Sequence, residues 1–206
     1  MPEHFHQLLF TPNVQSAQER AYGRIQVPPT ESSPDRLGPD ETAFIARRDS
    51  FYLASISESG WPYVQHRGGA AGFLRVLDDH TLAFADLRGN RQLVSAGNLQ
   101  SEERVALFLM DYPQRERLKI LGRARVVALE DDPTLAAKLL ANPATAKIAE
   151  RFFIIDVVAF DWNCPKYITP RYTVAEIEAA TQPLRDRIAQ LEKALAEKDP
   201  PAARSA

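Results

Sequence analysis

Cysteine is almost missing from this sequence: Cys164 is the only one among 206 residues. No intrachain disulfide can form, and no multi-cysteine zinc site can be assembled within one chain. Long apolar runs are missing too, since no window approaches the roughly 20 apolar residues needed to span a bilayer. The N-terminus MPEHFHQLLFTP lacks a basic region followed by an apolar stretch, so a cytoplasmic protein with no membrane partner is expected. Neither sign of charge dominates, with 25 basic and 27 acidic side chains. The whole-molecule field therefore offers nothing to nucleic acid, and any anion site has to be local. No internal repeat, Ser/His/Asp arrangement or pair of catalytic carboxylates stands out.

What is present suits one soluble domain with appendages, large enough to bury a core unaided. The stretch LAFADLRGNRQLVSAGNL, Leu82 to Leu99, has the pattern of a strand, a turn and a helix start. Asn90 is the expected N-cap of a helix beginning near Arg91. The free N–H groups of such a helix, with Arg88 and Arg91 beside them, would hold a phosphate by charge-assisted bonds. Two surface arginines flanking an ordinary capped helix is the plainer alternative.

Taken in order, the chain begins with a helix expected near Asn13 to Tyr22. His4 and His6 are more simply solvated than metal ligands, and no metal site is expected. QVPPTESSPDRLGPD, with four prolines, is an extended arm. A short helix follows from Pro39, and then the period drops to two. FYLASIS, WPYVQHR, GFLRVLD and TLAFAD are strands separated by tight turns. RVALFLM is nearly all apolar, as for a strand covered on both sides. In RLKILGRARVV, Leu118, Ile120, Gly122, Ala124 and Val126 share one face, while Arg117, Lys119, Arg123 and Arg125 fall mostly on the other. That cationic face is either solvated or a contact for flavin or a partner subunit. Asp132 to Arg151 holds one or two helices, with Pro133 in a first turn and Pro143 as an interruption.

FFIIDVVAF is a last buried strand. Val174 to Lys198 is a long amphipathic helix whose Ile177, Leu184, Ile188, Leu191 and Leu195 approximate a heptad seam, facing the barrel or a second copy. The tail Asp199 to Ala206 is expected to be disordered. Hairpin-linked strands with helices at the ends define a mostly β, α+β chain closed or partly closed into an antiparallel barrel. Residues 1–40 form a helix and Pro-rich arm, 41–170 the barrel domain, and 171–206 the C-terminal helix and tail.

The succession GWPYVQHRGG, LAFADLRGNRQ, RVALFLMDY and LKILGRARVV resembles the pyridoxamine 5'-phosphate oxidase-like family of FMN-binding split barrels, over about Phe44 to Phe160. DWNCPKYITPR is similar to the ending found in one uncharacterised bacterial branch. The resemblance implies an antiparallel split β-barrel with a long C-terminal helix, forming a homodimer with FMN at the subunit interface. It implies flavin contacts from Gln65, His66, Arg67 and Gly68, ring-edge contacts from Phe84, Ala85 and Asp86, and phosphate contacts from Asn90, Arg91 and Gln92.

The oxidase proper has consecutive Arg and Lys at the phosphate turn. Here Asn90 and Arg91 stand there, so Arg88 is expected to supply the missing charge. A cation near the N1–C2 carbonyl side of the ring stabilises the anionic reduced form, a role for Arg67 or Lys119. Gly68 and Gly69 suit close approach of main chain to a flat ring, or a bulge. Trp162, Asn163 and Pro165 close over the flavin from the partner subunit, or Trp162 caps the barrel. Cys164 is expected to be small, buried and unreactive.

The implied function is an FMN-dependent oxidoreductase acting on an unknown small molecule, with NAD(P)H as a candidate donor. A non-catalytic FMN or haem storage protein of the same fold is the alternative. A nucleic-acid-binding barrel is disfavoured by the overall charge.

Overall fold

The computed structural model describes residues 3–162 and 164–198, so Asn163 and the tail from Asp199 lie outside the described residues. The chain forms two compact units, one of residues 1–111 and 115–168 and one of 112–114 and 169–206.

The first unit is built on seven antiparallel strands: β1 (Ser50–Ile56), β2 (Pro62–Gly68), β3 (Arg75–Val76), β4 (Thr81–Leu87), β5 (Arg104–Asp111), β6 (Glu116–Val127) and β7 (Ala149–Trp162), in the sheet order β2-β1-β5-β6-β7-β4-β3. Among the described residues no ladder joins β2 to β3, so the barrel is split. β7 pairs with both β6 and β4 and shifts register in each ladder. Asp86 faces Arg151 while Leu87 faces Ala149, and Leu121 faces Ala159 while Gly122 faces Val157. Glu150 and Val158 are therefore the extra residues of two bulges, which bend the strand and re-aim its side chains. At Gly122 an added Cβ would lie 2.7 Å from Ile155 Cγ2 and 2.9 Å from Asp156 O, so only glycine fits.

Helix boundaries follow local chemistry. α1 (Glu3–Leu9) buries Phe5. α2 (Pro12–Tyr22) starts at an N-cap Thr11 and ends on Gly23 at φ 65°, a left-handed stop. α3 (Pro39–Ala46) has Pro39 in its first turn, and Glu41 Oε2 accepts the Gly38 N–H at 2.8 Å. α4 (Val94–Asn98) is a single short turn. α5 (Pro133–Leu139) and α6 (Pro143–Ile148) are capped by Asp132, which accepts from Leu135 N at 2.8 Å, and Asn142, which accepts from Ala144 N at 2.9 Å. Pro143 thus opens the second helix, three residues beyond the C-cap of the first at Leu140.

The core is an aromatic stack inside the barrel. Phe84 lies parallel to Phe153 at 5.0 Å and meets Phe51 edge-on at 5.3 Å. A second apolar cluster, of Ala83, Ala85, Phe152 and Ile154 with Leu135 of α5, covers the other face of β4 and β7.

Four expectations are corrected. The strand buried on both faces is β4, not RVALFLM. In β5 inward and outward residues alternate, and outward Ala106, Phe108 and Met110 stay partly exposed because α5 and α6 cover β4 and β7 instead. GFLRVLD contributes only the two-residue β3: Gly72 at φ 76° donates to Arg48 O, and Gly69 packs against Phe73, which takes up the run as a loop. Cys164 is exposed rather than buried. Val126, placed by its spacing on the packed face of β6, is 37% exposed, next to the last residue of the strand.

In the second unit α7 (Val174–Lys198) begins with a reciprocal cap. Glu176 Oε2 accepts from Thr173 N at 2.7 Å, and Glu176 N donates to Thr173 Oγ1 at 3.2 Å.

Candidate functional site

β2 and β4 lie towards opposite ends of the sheet, yet their side chains meet across the split. Arg67 Nη1 of β2 donates to Asp86 Oδ1 of β4, and both side chains are nearly buried, at 13% and 9% exposure. The guanidinium also lies over the Phe153 and Phe84 rings, 5.0 and 5.7 Å from their centroids. Its Nε is buried with no hydrogen-bond partner. A buried unpaired donor costs about 1 to 3 kcal/mol, so this atom marks a place where an acceptor is missing.

The charges continue outward from Asp86. Arg151 Nε stands 3.5 Å from Asp86 Oδ2, and Arg151 Nη2 stands 2.9 Å from Glu150. The bulge turns Glu150 towards the turn after β4, where Arg88 Nε and Arg91 Nε lie 3.5 and 3.8 Å from its Oε1. Four arginines thus share two carboxylates, an excess of two positive charges. Arg88 and Arg91 keep 52% and 66% of their side chains exposed, so both can reach a ligand.

Two adjoining hollows of about 200 and 180 Å³ open on this cluster, and both are walled by Gln65, Arg67, Asp86, Leu87 and Gly89. Asn90, Arg91 and Glu150 line the first, and His66, Gly68, Phe84 and Ala85 the second. Gln65 is fixed in the wall by Ser95 Oγ, which donates to its Oε1 at 2.9 Å.

The turn is built differently from its expectation. Asn90 does not cap a helix at Arg91; its Oδ1 accepts from Gln92 N at 3.1 Å, and its Nδ2 donates to Gln92 Oε1 at 3.1 Å. Arg91 and Leu93 adopt left-handed φ values of 61° and 56°, and the helix starts only at Val94. An Asx turn has outcompeted the helical start, a choice open to the same residue type. The N–H donors of a helix starting at Arg91 are therefore not part of the cradle, whose charges come from side chains. Left-handed non-glycine residues tend to gather at ligand clamps.

Lys119 and Trp162 stand elsewhere in the unit. Lys119 Nζ is 2.8 Å from Asp161 and 4.8 Å from the Phe5 ring centroid. Trp162 Nε1 donates to Glu41 Oε1 at 2.6 Å and its ring meets Phe44 edge-on at 4.8 Å, so the indole caps the barrel against α3. Both sit at the end of β7 away from Glu150. Asn163 lies outside the described residues. Gln92 is exposed beside Asn90. The backbone at Gly69 approaches the chain's own Phe73, where an added Cβ would lie 2.7 Å from Cγ.

Sequence reasoning missed Glu150, Arg151 and Ser95. The one available signal was the charged pair Glu150-Arg151 directly before an apolar strand. His4 and His6 are engaged locally: His4 Nδ1 lies 2.9 Å from Ser32 Oγ, and His6 stacks on Phe10 at 4.6 Å. Among the described residues one metal-like grouping occurs, Asp78, Asp79 and His80, all exposed in the β3–β4 turn.

The family model for pyridoxamine 5'-phosphate oxidase matches residues 38–181. The chain belongs to that family. No curated protein matches it. Similar solved structures include HupZ of Group A Streptococcus, 12% identical over 66% of this chain and 100% of that one, with a TM-score of 0.49. An FMN-binding protein from Syntrophomonas wolfei is 14% identical over 60% of this chain and 83% of its own, at 0.43. The heme storage protein HutZ from Vibrio cholerae is 16% identical over 61% and 94%, at 0.42. No helix among the described residues is long and apolar enough to cross a membrane.

Proposed function

We propose that this chain is an FMN-binding flavoprotein, an oxidoreductase of small molecules that works as a cytoplasmic homodimer. Membership of the oxidase family supports the flavin. The observation that carries the reading is the charge cluster beside Asp86: Arg67 and Arg91 line the hollow with Asp86 and Glu150, and Arg88 and Arg151, just outside the lining, pair with those two carboxylates and bring the excess to two positive charges. A phosphate monoester brings a charge of about −1.5 to −2, which matches that excess. The unpaired Arg67 Nε supplies a donor for it or for a ring carbonyl.

In this reading Arg88, Asn90, Arg91 and Gln92 hold the phosphate, while Gln65, His66, Arg67, Gly68, Phe84, Ala85 and Asp86 border the isoalloxazine. The flavin, when bound, supplies hydride transfer at its N5. The chain's share is to orient it and to set its charge environment. Arg67, pinned by Asp86, is a fixed cation that favours extra negative charge on the ring. Lys119 and Trp162 lie away from this hollow in their own subunit and, with Asn163, would act on the flavin bound by the other. The outward face of β1 and β5, where Tyr52 is 39% exposed opposite Phe108, offers apolar surface for that subunit contact. Residues 41–170 would form the flavin domain, flanked by the arm of 1–40 and the helix and tail of 171–206.

His66, in the wall of the second hollow, favours haem as the second reading, since imidazole is an iron ligand. The absorption spectrum of the purified protein after addition of FMN or haemin separates the two. The flavin reading predicts a bound flavin spectrum that bleaches with NADH or NADPH without oxygen. A Soret band with no flavin uptake would replace it, and a bound flavin inert to both nucleotides would leave storage.

A further inference from the structure

We propose that α7 pairs, parallel and in register, with α7 of a second copy of this chain. Ile177 stands seven residues before Leu184, Ile188, Leu191 and Leu195 follow Leu184 at spacings of four, three and four, and all five side chains are 50 to 68% exposed. Set in a heptad, Leu184 and Leu191 occupy d and Ile188 the a between them, the combination that favours two parallel strands at the middle of the seam, while Ile177 at d and Leu195 at a close its ends. Thr181 fills the preceding a position, and its hydroxyl is satisfied within the helix by donating to Ile177 O at 2.8 Å. Pro183 falls at c, outside the seam and exposed.

The flanking charges choose the direction. In a parallel pair the g residue of one helix faces the e residue of the next heptad on the other. Arg187 then meets Glu192 of the second copy, twice by symmetry, and the remaining g positions are uncharged where they face Arg185 and Glu178. Within its own helix Arg187 Nη1 donates to Gln190 Oε1 at 3.3 Å, a bond that a carboxylate can replace. An antiparallel pair that keeps the whole seam in contact sets Arg187 against Arg187, Arg185 against Arg185 and Glu178 against Glu192. Like charges so placed repel. The sequence therefore permits the parallel pair and opposes its rival. The pairing does not depend on a bound cofactor.

The test uses the full chain with Cys164→Ser as background, adding Leu191→Cys at d or Lys193→Cys at the outer f position, under glutathione disulfide. In the parallel pair residue 191 touches its own copy, so Leu191→Cys cross-links at least about tenfold faster than Lys193→Cys. Arg187→Glu slows that cross-link, and Arg187→Glu with Glu192→Arg restores it. Equal rates for the two cysteines overturn the proposal, as does preferential linking of Thr181→Cys chains to Leu191→Cys chains, the antiparallel signature. Flavin binding, read separately by absorbance, reports on the barrel and is not moved by these variants.

Discussion

Arg67 reaches across the opening of the barrel to Asp86 and ties strands from opposite ends of the sheet. The same ion pair closes the fold at its split and walls both hollows of the site. Structure and candidate function therefore share one contact, and they can be separated by choosing which partner to remove.

Asp86→Ala leaves Arg67 and Arg151 close together without their shared carboxylate. Stripping one partner from a nearly buried pair costs about 3 to 5 kcal/mol. Urea unfolding is expected to show a loss of that size, and added inorganic phosphate is expected to recover part of it, because an anion bound at the same place substitutes for the carboxylate. A loss that phosphate does not touch would mean that the cluster does not bind anions.

Arg91→Ala removes an exposed cation whose nearest acid is 3.8 Å away. Stability should change by no more than about 0.5 kcal/mol. FMN affinity should fall roughly ten- to over a hundredfold, the loss of a charge-assisted bond worth about 1.5 to 3 kcal/mol. Fluorescence titration measures the second and thermal unfolding the first.

Gly122→Ala forces a methyl group against Ile155 and the Asp156 carbonyl, beside the bulge in β7. A backbone oxygen cannot step aside as a side-chain tip can. Destabilisation of about 1 to 3 kcal/mol is expected in urea unfolding, with FMN affinity per folded molecule unchanged.

Glu102 accepts from Arg104 Nε at 2.8 Å and from Arg104 N at 3.0 Å, and these bonds hold its carboxyl down to about 2, from an ordinary 4.5. A depressed acid stabilises the fold above its unfolded pKa, and that contribution is lost as the pH falls from about 4.5 towards 2. Carboxyl NMR should find Glu102 titrating near 2, and Arg104→Ala should move its midpoint up.

Much of the barrel was legible because its strands carry period-two patterns and its prolines and polar caps mark helix starts. LKILGRARVV and TLAFAD needed only alternation or turn punctuation to be found. RVALFLM misled because an apolar run does not say what covers it, and α5 and α6 pack over β4 instead. At the site, the location of the turn was visible in ADLRGNRQ, but its conformation was not: Asn90 can cap a helix or close an Asx turn with equal chemistry. Glu150 and Arg151 were invisible for a different reason. A bulge in a distant strand delivers them, and bulges leave no local mark beyond a charged pair before an apolar run.

The most direct test compares the binding of FMN and riboflavin, which differ only by the phosphate, to the wild-type chain by flavin fluorescence at one salt concentration. A phosphate held by Arg88 and Arg91 predicts FMN binding about a hundredfold or more tighter than riboflavin. Equal affinities, or no binding of either, would contradict the arginine cradle beside Asp86.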